Sequence, residues 1–109
     1  MRIAVASEGL EVSPHFGRCS NYNYYTAENG VIMEYRNLPR EGQLCDVGAS
    51  LMKDLGIDVV ITGGIGSTAY ELLDSYGISV ISGVTGTARE AVDQYLSGNL
   101  LDLKVACES

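Results

Sequence analysis

Short apolar runs separated by glycine-rich turns make up the first third of the chain. Residues 2–7 form an apolar run that ends in small and polar residues, which is typical of a buried strand leading into a functional loop. Residues 23–27 and 31–36 are rich in tyrosine and β-branched side chains, and the Asn29-Gly30 pair between them favours a tight turn. The pattern therefore predicts a strand, a loop over residues 8–21 and an antiparallel hairpin.

From residue 46 onward the pattern becomes helical. Val47, Leu51 and Leu55 recur every four residues, as on one face of an amphipathic helix. Asp46 has the side chain of an N-cap, and Gly56 is suited to end the helix in a left-handed conformation. We predict a first helix between these two residues.

Two strand-helix units follow this first helix. The apolar strand at residues 58–62 leads through a glycine turn to Thr68-Ala69-Tyr70-Glu71, whose spacing predicts a capping box with Thr68 as N-cap. Gly56-Ile57-Asp58-Val59 is echoed by Gly77-Ile78-Ser79-Val80, an offset of 21 residues (77 − 56 = 21). A third helix is predicted to open at Thr87 and to stop before Gly98.

The predicted element order is β-β-β-α-β-α-β-α, which describes a mixed five-stranded sheet in a three-layer α/β domain. A meander of the first three strands, followed by right-handed crossovers, brings four strand ends to one edge. The connections there are the 8–21 loop, the segment 37–45 and the turns 63–66 and 83–86. Such edges bind ligands in open α/β sheets. We expect one domain over residues 1–98, followed by a tail over 99–109.

Composition narrows the class of partner. The 109 residues hold 7 basic and 14 acidic side chains, a net charge of −7, which argues against nucleic acid. Residues 1–40 hold four basic and four acidic side chains, so the whole negative excess arises in residues 41–109. The charge therefore argues against extended polyanions, whereas a compact anionic cluster beside Arg18 is still compatible with it. No apolar run suits a membrane span or a secretory signal, so we expect a cytoplasmic protein. The cysteines at positions 19, 45 and 107 fit reduced thiols.

The loop after the first strand carries the candidate chemistry. His15 is followed by Arg18 and Cys19. An imidazole and a thiolate can share a metal, and the arginine can balance an anionic ligand. Cys45, next to the predicted helix N-terminus, is a further candidate metal ligand. The alternatives are that His15 packs or caps the loop and that the thiols are small buried hydrophobic groups.

The glycines of the two strand-helix turns are candidate ligand-binding positions. Gly63, Gly64 and Gly66 lead into a helix N-terminus, where backbone N–H groups suit an anion. The spacing matches no nucleotide-binding fingerprint. Glycines that only permit a tight turn are the equally simple alternative.

The sequence resembles the dinitrogenase iron-molybdenum cofactor biosynthesis family. The similarity rests on His15-Phe16-Gly17-Arg18, on Gly63-Gly64-Ile65-Gly66 and on the segment 86–91, and it covers nearly all of residues 1–98. It implies a ribonuclease-H-like fold, with His15 contacting a cluster beside Arg18 and the Gly63, Gly64 and Gly66 turn facing it. Cys19 and Cys45 are added as metal ligands on chemical grounds.

The function expected from this resemblance is a non-enzymatic carrier. It would hold an iron-sulfur or iron-molybdenum-type cluster transiently and exchange it with a donor or acceptor protein. An anion or small-metabolite module that uses the glycine turns, with incidental thiols, is the alternative. A small enzyme with Cys19 as nucleophile and His15 as base is a third hypothesis, although no acidic orienting group is fixed by spacing. Nuclease chemistry is disfavoured, because the first strand carries no carboxylate in residues 2–7.

Overall fold

The computed structural model describes residues 1–16, 18–39, 45–98 and 100, with residues 45–48 described by their backbone alone. The chain forms a mixed α/β fold with six strands and three helices. The strands are β1 (Arg2–Glu8), β2 (Glu11–Val12), β3 (Asn21–Glu28), β4 (Val31–Pro39), β5 (Val59–Ile61) and β6 (Ser79–Ile81). The helices are α1 (Cys45–Asp54), α2 (Ser67–Ser75) and α3 (Ala88–Leu96).

The strand order across the sheet is β4-β3-β1-β5-β6. β3 is antiparallel to both β1 and β4, whereas β5 is parallel to both β1 and β6. β4 therefore runs in the same direction as β1, as the predicted meander requires. Asn29 (φ 53°) and Gly30 (φ 78°) both adopt positive φ in the turn between β3 and β4, which confirms the predicted hairpin.

The prediction of five strands was wrong, because β2 adds a sixth at the start of the predicted 8–21 loop. β2 pairs with the end of β1, with Ser7 opposite Val12 and Glu8 opposite Glu11. Gly9, with φ 67°, permits the tight turn that reverses the chain. A two-residue strand is too short to show alternation in the sequence, so only the tertiary pairing reveals it.

Helices cover both faces of the sheet. Alternation along β1 sends Ala4 and Ala6 into a cluster with residues of α1 and α2, and Ile3 and Val5 into a cluster with residues of α3. The largest fully buried side chains, by volume, include those of Tyr22, Ile3, Met52, Ile61 and Leu73. The two clusters fix the sheet between its helices and hold its carboxyl edge in place.

The ends of α1 and α2 explain the repeat seen in the sequence. Gly56 (φ 67°) bonds back to Lys53, and Ile57 bonds back to Met52. Gly77 (φ 76°) repeats the same pair of bonds, because its N–H reaches Asp74 while that of Ile78 reaches Leu73. Both are Schellman endings, in which the isoleucine after the glycine is buried and begins the approach to the next strand.

The helix starts agree with prediction at one of three positions. Thr87 is the N-cap of α3, and its hydroxyl accepts the Glu90 N–H at 3.2 Å. Thr68 is not the N-cap of α2, because that helix starts at Ser67 with Gly66 as N-cap and without a side-chain cap. Asp46 is not the N-cap of α1 either, because helical structure is present from Cys45. At α2, the tight turn at residues 63–66 sets the start in place of a cap.

The predicted tail over 99–109, apart from Leu100, and residues 40–44 of the predicted edge segment lie outside the described residues. Among the described helices, none has the length and apolar character needed to cross a membrane.

Candidate functional site

Three connections meet at the carboxyl edge of the sheet, where β1, β5 and β6 end. They are the loop that carries β2 and His15, the turn at residues 63–66 and the turn at residues 83–87. The Gly83 N–H donates to the Gly63 carbonyl at 2.7 Å, and the Val12 N–H donates to the Gly86 carbonyl at 2.8 Å. The Ala88 N–H donates to the Leu10 carbonyl at 2.8 Å. These backbone bonds join all three connections into one surface.

The loop that carries His15 is fastened to the first glycine turn on both sides of the histidine. Before it, the Ser13 N–H donates to Ala6 at 2.7 Å, and the Ser13 carbonyl accepts the Gly63 N–H at 2.8 Å. After it, the Phe16 N–H donates to the Gly64 carbonyl at 2.8 Å. The structure therefore brings together the two segments that the sequence analysis singled out.

Gly63 is required by close packing. A Cβ atom at this position would lie 2.7 Å from the Pro14 Cα and 2.7 Å from the Ser13 carbonyl oxygen. The Gly63 N–H donates to the chain itself, so in this conformation it is not directed at an anion. The Gly64 carbonyl accepts a second bond, from the Thr62 hydroxyl at 2.9 Å. Of the two interpretations of these glycines, the geometry at Gly63 favours the tight-turn alternative.

His15 and Arg18 are candidate site residues that the loop leaves accessible. His15 is half-buried and Arg18 is exposed. The His15 N–H donates to the Ser13 hydroxyl oxygen at 3.2 Å, and that hydroxyl lies 3.2 Å from the His15 carbonyl oxygen. Ser13, itself 1% exposed, thus fixes the backbone of the histidine on the edge of the sheet.

The predicted thiol ligands are placed differently from His15. Cys19 is 2% exposed and lies in the same core cluster as Phe16, Tyr22 and Met52. The side chain of Cys45 and all of Cys107 lie outside the described part of the chain. Within that part, no group of three or more His, Cys, Asp or Glu side chains is placed to hold a metal ion. The surroundings of Cys19 favour the alternative that it packs as a small hydrophobic group.

Glu8 closes the far end of the loop, a role that the sequence did not suggest. Its carboxylate accepts the Ser20 hydroxyl at 2.6 Å and the Ser20 N–H at 3.0 Å. The bond from the Ser20 hydroxyl is the main cause that holds the pKa of Glu8 below its usual value of 4.5, against the opposing effect of burial. Ser13, the Ser20 N–H and the nearby charge of His15 also lower this pKa. The carboxylate of Glu8 is therefore part of the surroundings of His15.

Acidification tests the bonds between Glu8 and Ser20. The pKa of Glu8 is lower in the folded than in the unfolded chain, so its stabilisation is complete above about pH 4.5 and is lost as the pH falls through the folded value. We expect Glu8→Gln to show a smaller loss of stability than wild type in urea unfolding between about pH 7 and about pH 3. Glu28→Gln, at the exposed end of β3, is the control. Equal pH dependence in wild type and Glu8→Gln would contradict the expectation.

A buried polar network supports the turn between β1 and β2. Asn23 is 0% exposed, and its side-chain amide donates to the Ser7 hydroxyl at 2.8 Å and to the Gly9 carbonyl at 3.0 Å. Asn21 accepts the Gly9 N–H at 2.8 Å and also donates to the Gly9 carbonyl at 3.0 Å. The sequence analysis missed this role. Two asparagines two residues apart on one strand face were the available signal.

An open depression lies beside the candidate site on the α3 side of the edge. Its volume is about 520 Å³. The residues that line it are Glu11, Val12, Pro14, Gly63, Gly83, Val84, Thr85 and Gly86. Glycines from both turns leave this space open, and among the described residues Glu11 is the only charged one that lines it.

The sheet order and the helices on its two faces define a small mixed α/β domain, with the His15 loop docked at the carboxyl edge of the sheet. The chain matches the family model for dinitrogenase iron-molybdenum cofactor over residues 1–98, and it belongs to that family. This confirms the resemblance found in the sequence. The family's name relates the chain to the iron-molybdenum cofactor, in its biosynthesis or its binding.

Individual relatives agree with the family match. Uncharacterized protein MJ0580 of Methanocaldococcus jannaschii is 32% identical over 105 residues, which cover 92% of this chain and 89% of that protein. The crystal structure of PH0822 superposes with a TM-score of 0.88 at 29% identity, covering 94% of this chain and 95% of that one. The apo form of the orange protein from Desulfovibrio gigas superposes with a TM-score of 0.81 at 26% identity, covering 98% of this chain and 96% of that one.

Proposed function

We propose that this chain is a non-enzymatic carrier of an iron-sulfur or iron-molybdenum-type cluster or its precursor, which it holds as cargo and passes to an acceptor protein. His15 supplies one exchangeable ligand, and Arg18 offsets the negative charge of the cargo. The turn of Gly63, Gly64 and Gly66, which is bonded to the His15 loop, also faces the cargo. The family match supports the class of cargo.

The observation that carries the proposal is the docking of the His15 loop onto the glycine turn. The bonds from Gly63 to Ser13 and from Phe16 to Gly64, each 2.8 Å, hold the backbone on both sides of His15 at the carboxyl edge, where His15 is half-buried. An imidazole carried by such a fixed loop at the rim of a sheet can bind a cluster without rearrangement of the core. The exposed guanidinium of Arg18, three residues later, can turn toward the same cargo.

The small number of candidate protein ligands is suited to transient binding of a cluster. A permanent metal site takes three or four protein ligands, whereas the described residues offer His15 without a group of three. Most terminal ligands of the cluster would then come from outside this protein, which leaves the cargo free to depart. Cys19 and Cys45 remain candidate ligands under this proposal. For Cys19 the thiol must leave the core cluster, because it is 2% exposed.

The same proposal includes the ribonuclease-H-like fold that the family resemblance implies. Its support is the order β4-β3-β1-β5-β6, with three antiparallel strands followed by two parallel ones. β1 carries a single carboxylate, that of Glu8 at its end, and this accepts bonds from Ser20. One carboxylate on this strand argues against the metal-dependent nuclease chemistry that the fold name suggests, which needs several.

Anaerobic titration of the purified protein tests the carrier proposal. The probes are isolated iron-molybdenum cofactor and, separately, a synthetic thiolate-ligated [4Fe–4S] cluster, with binding followed by absorption and by gel filtration with metal analysis. We expect His15→Ala and Arg18→Ala each to weaken binding of one probe about tenfold, the scale of one charged or coordinating contact. Arg89→Ala, an exposed arginine on α3, is the matched control.

Serine variants of the thiols separate the two roles considered for the cysteines. If Cys19 only packs, Cys19→Ser lowers stability and leaves probe affinity unchanged. If the Cys19 thiol is a ligand, Cys19→Ser lowers probe affinity. Cys45→Ser extends the test to α1. Retention of full binding by the combined His15→Ala, Cys19→Ser, Cys45→Ser variant would overturn the assignment of these residues to the cargo.

The depression of about 520 Å³ favours a second candidate function, binding of a small metabolite between the two glycine turns. Its walls are mainly backbone, valine and proline, so its occupant would be small and largely neutral. This candidate predicts that binding survives loss of His15 and of the thiols. It also predicts that binding fails in Gly86→Val, because Gly86 lines the depression. Since Gly86 has a φ of +95°, which is unfavourable for valine, Gly77→Val at φ +76° outside the depression is the control for backbone strain and should retain binding.

A further inference from the structure

β4 forms one edge of the sheet and carries an unusual share of exposed apolar side chains. It pairs with β3 on one side and has no strand on the other among the described residues. Six large apolar side chains are exposed in the described part of the chain, and three of them, Val31 (58%), Met33 (63%) and Tyr35 (46%), lie on β4. An edge strand with such side chains is a site for pairing with another chain.

The hydrogen-bonding direction of β4 follows from β3. The N–H and carbonyl of Ala27 both bond to Met1, so Ala27 points toward the β1 side. Backbone groups alternate along a strand, and the even-numbered residues of β3 therefore face β4. Their partners on β4 are Glu34, Arg36 and Leu38.

Tyr35 and Asn37 consequently direct their backbone N–H and carbonyl groups away from the sheet. Pro39 lies on the same outward side in this alternation, where its missing N–H costs no bond within the sheet. With respect to the residues that the structure describes, this edge of β4 therefore offers unpaired backbone donors and acceptors beside the exposed ring of Tyr35.

The charges on β4 are self-complementary. Glu34 and Arg36 lie two residues apart on one face, are exposed, and pair with each other at 3.1 Å. If two copies of β4 pair antiparallel with Tyr35 opposite Tyr35, then Glu34 of each copy lies opposite the partner's Arg36. Opposite charges directly across a strand pair are favourable, and like charges there are unfavourable.

We propose that β4 pairs antiparallel with β4 of a second copy of this chain, about a two-fold axis at Tyr35. The sheet then continues across two molecules, with Tyr35 exchanging two backbone bonds with its equivalent. A register shift in the β3–β4 pairing makes Met33 an extra residue on β4, and this bulge shortens the regular segment. The association is therefore weak and depends on protein concentration.

This pairing leaves both candidate sites open. The two copies of β4 run in opposite directions, so the carboxyl edges of the two sheets, with their His15 loops, lie at opposite ends of the dimer. The proposal does not rest on the carrier function, and its test requires no cargo.

Charge reversal on β4 tests the pairing through sedimentation of the full chain from about 10 µM to about 1 mM. Glu34→Arg places two arginines opposite each other in both cross-strand pairs, and Arg36→Glu places two glutamates opposite each other there. We expect each variant alone to dimerise about tenfold more weakly than wild type. An equimolar mixture of the two variants should recover dimer, because both cross-strand pairs are then between residues of opposite charge.

The same set of variants provides controls for the effects of net charge and of misfolding. Glu34→Arg changes the net charge from −7 to −5 (−7 + 2). If overall repulsion controlled association, this variant would dimerise more strongly than wild type, whereas the local charge pairing predicts weaker dimerisation. Asp93→Arg and Arg89→Glu make the same charge changes at an exposed pair on α3 and should dimerise like wild type. Recovery in the mixture shows that the variants are folded.

Three results would each overturn the proposal: a wild-type protein that stays monomeric at about 1 mM, single variants that dimerise like wild type, or a mixture that associates no better than its components. Backbone amide exchange gives an independent measurement. Exchange at Tyr35 and Asn37 should slow as wild-type concentration rises, whereas exchange at Val80 on the opposite edge strand should not change.

Discussion

We expect Gly63→Ala to lower the free energy of unfolding by about 3 kcal/mol, in the range of severe overpacking. The added Cβ would lie 2.7 Å from the Pro14 Cα and 2.7 Å from the Ser13 carbonyl oxygen, and both obstacles are backbone. The loop must therefore move away from the turn. That movement stretches or breaks the 2.8 Å bond from Gly63 to Ser13 and displaces His15, so affinity for the cluster probes should fall with stability.

Gly77→Ala is the control for Gly63→Ala. A Cβ at Gly77 meets nothing within 4 Å, but its φ of +76° is unfavourable for alanine, at a cost of about 1 kcal/mol. Urea unfolding of both variants separates the steric from the conformational cost. A Gly63→Ala protein as stable as Gly77→Ala would show that the loop does not pack against the turn as described.

Replacement of Asn23 by alanine should cost about 3 kcal/mol, because it removes the centre of a buried network. The side-chain amide of Asn23 donates to Ser7 and Gly9, and its carbonyl oxygen accepts the Tyr35 hydroxyl at 2.7 Å. The Tyr35 hydroxyl and the Ser7 hydroxyl each lose a partner, and Ser7 is 0% exposed. The turn at Gly9 loses one of its two side-chain donors.

Two milder variants calibrate the Asn23→Ala result. Tyr35→Phe removes one hydrogen bond and should cost about 1 kcal/mol, while Asn37→Ala removes the 2.6 Å bond to Asn21 from an exposed residue and should cost less. Thermal or urea unfolding orders the three variants. An Asn23→Ala protein no less stable than Asn37→Ala would contradict the central role of Asn23.

Several elements of the fold could be predicted because local chemistry and tertiary structure agree there. Asn29-Gly30 adopts the positive φ angles expected of its turn, Thr87 caps α3, and Gly56 and Gly77 end their helices with the same bonds. β3 and β4 extend beyond the predicted ranges 23–27 and 31–36 by up to three residues at an end. Strand ends depend on how far the neighbouring strand reaches, which composition does not encode.

The candidate site was less predictable than the fold. His15, Arg18 and the glycine turn were identified from their residue types, and the structure places the His15 loop and the turn against each other. Glu8 and Asn23 were missed, because a glutamate and an asparagine in strands have no local signature of a supporting role. The chemistry of Cys19 predicts a metal ligand, whereas its burial depends on its packing in one core cluster with Phe16 and Tyr22.

The sequence by itself determined the type and order of the helices and long strands, the family and the loop that carries His15. These follow from periodicity, glycine placement and short motifs, each of which acts within a few residues. Three features emerge only from the tertiary structure: Gly63 permits the close approach of Pro14, Cys19 is buried, and β4 presents complementary charges on an edge with no further strand among the described residues. Each depends on contacts between segments far apart in the chain, whose distances local patterns do not fix.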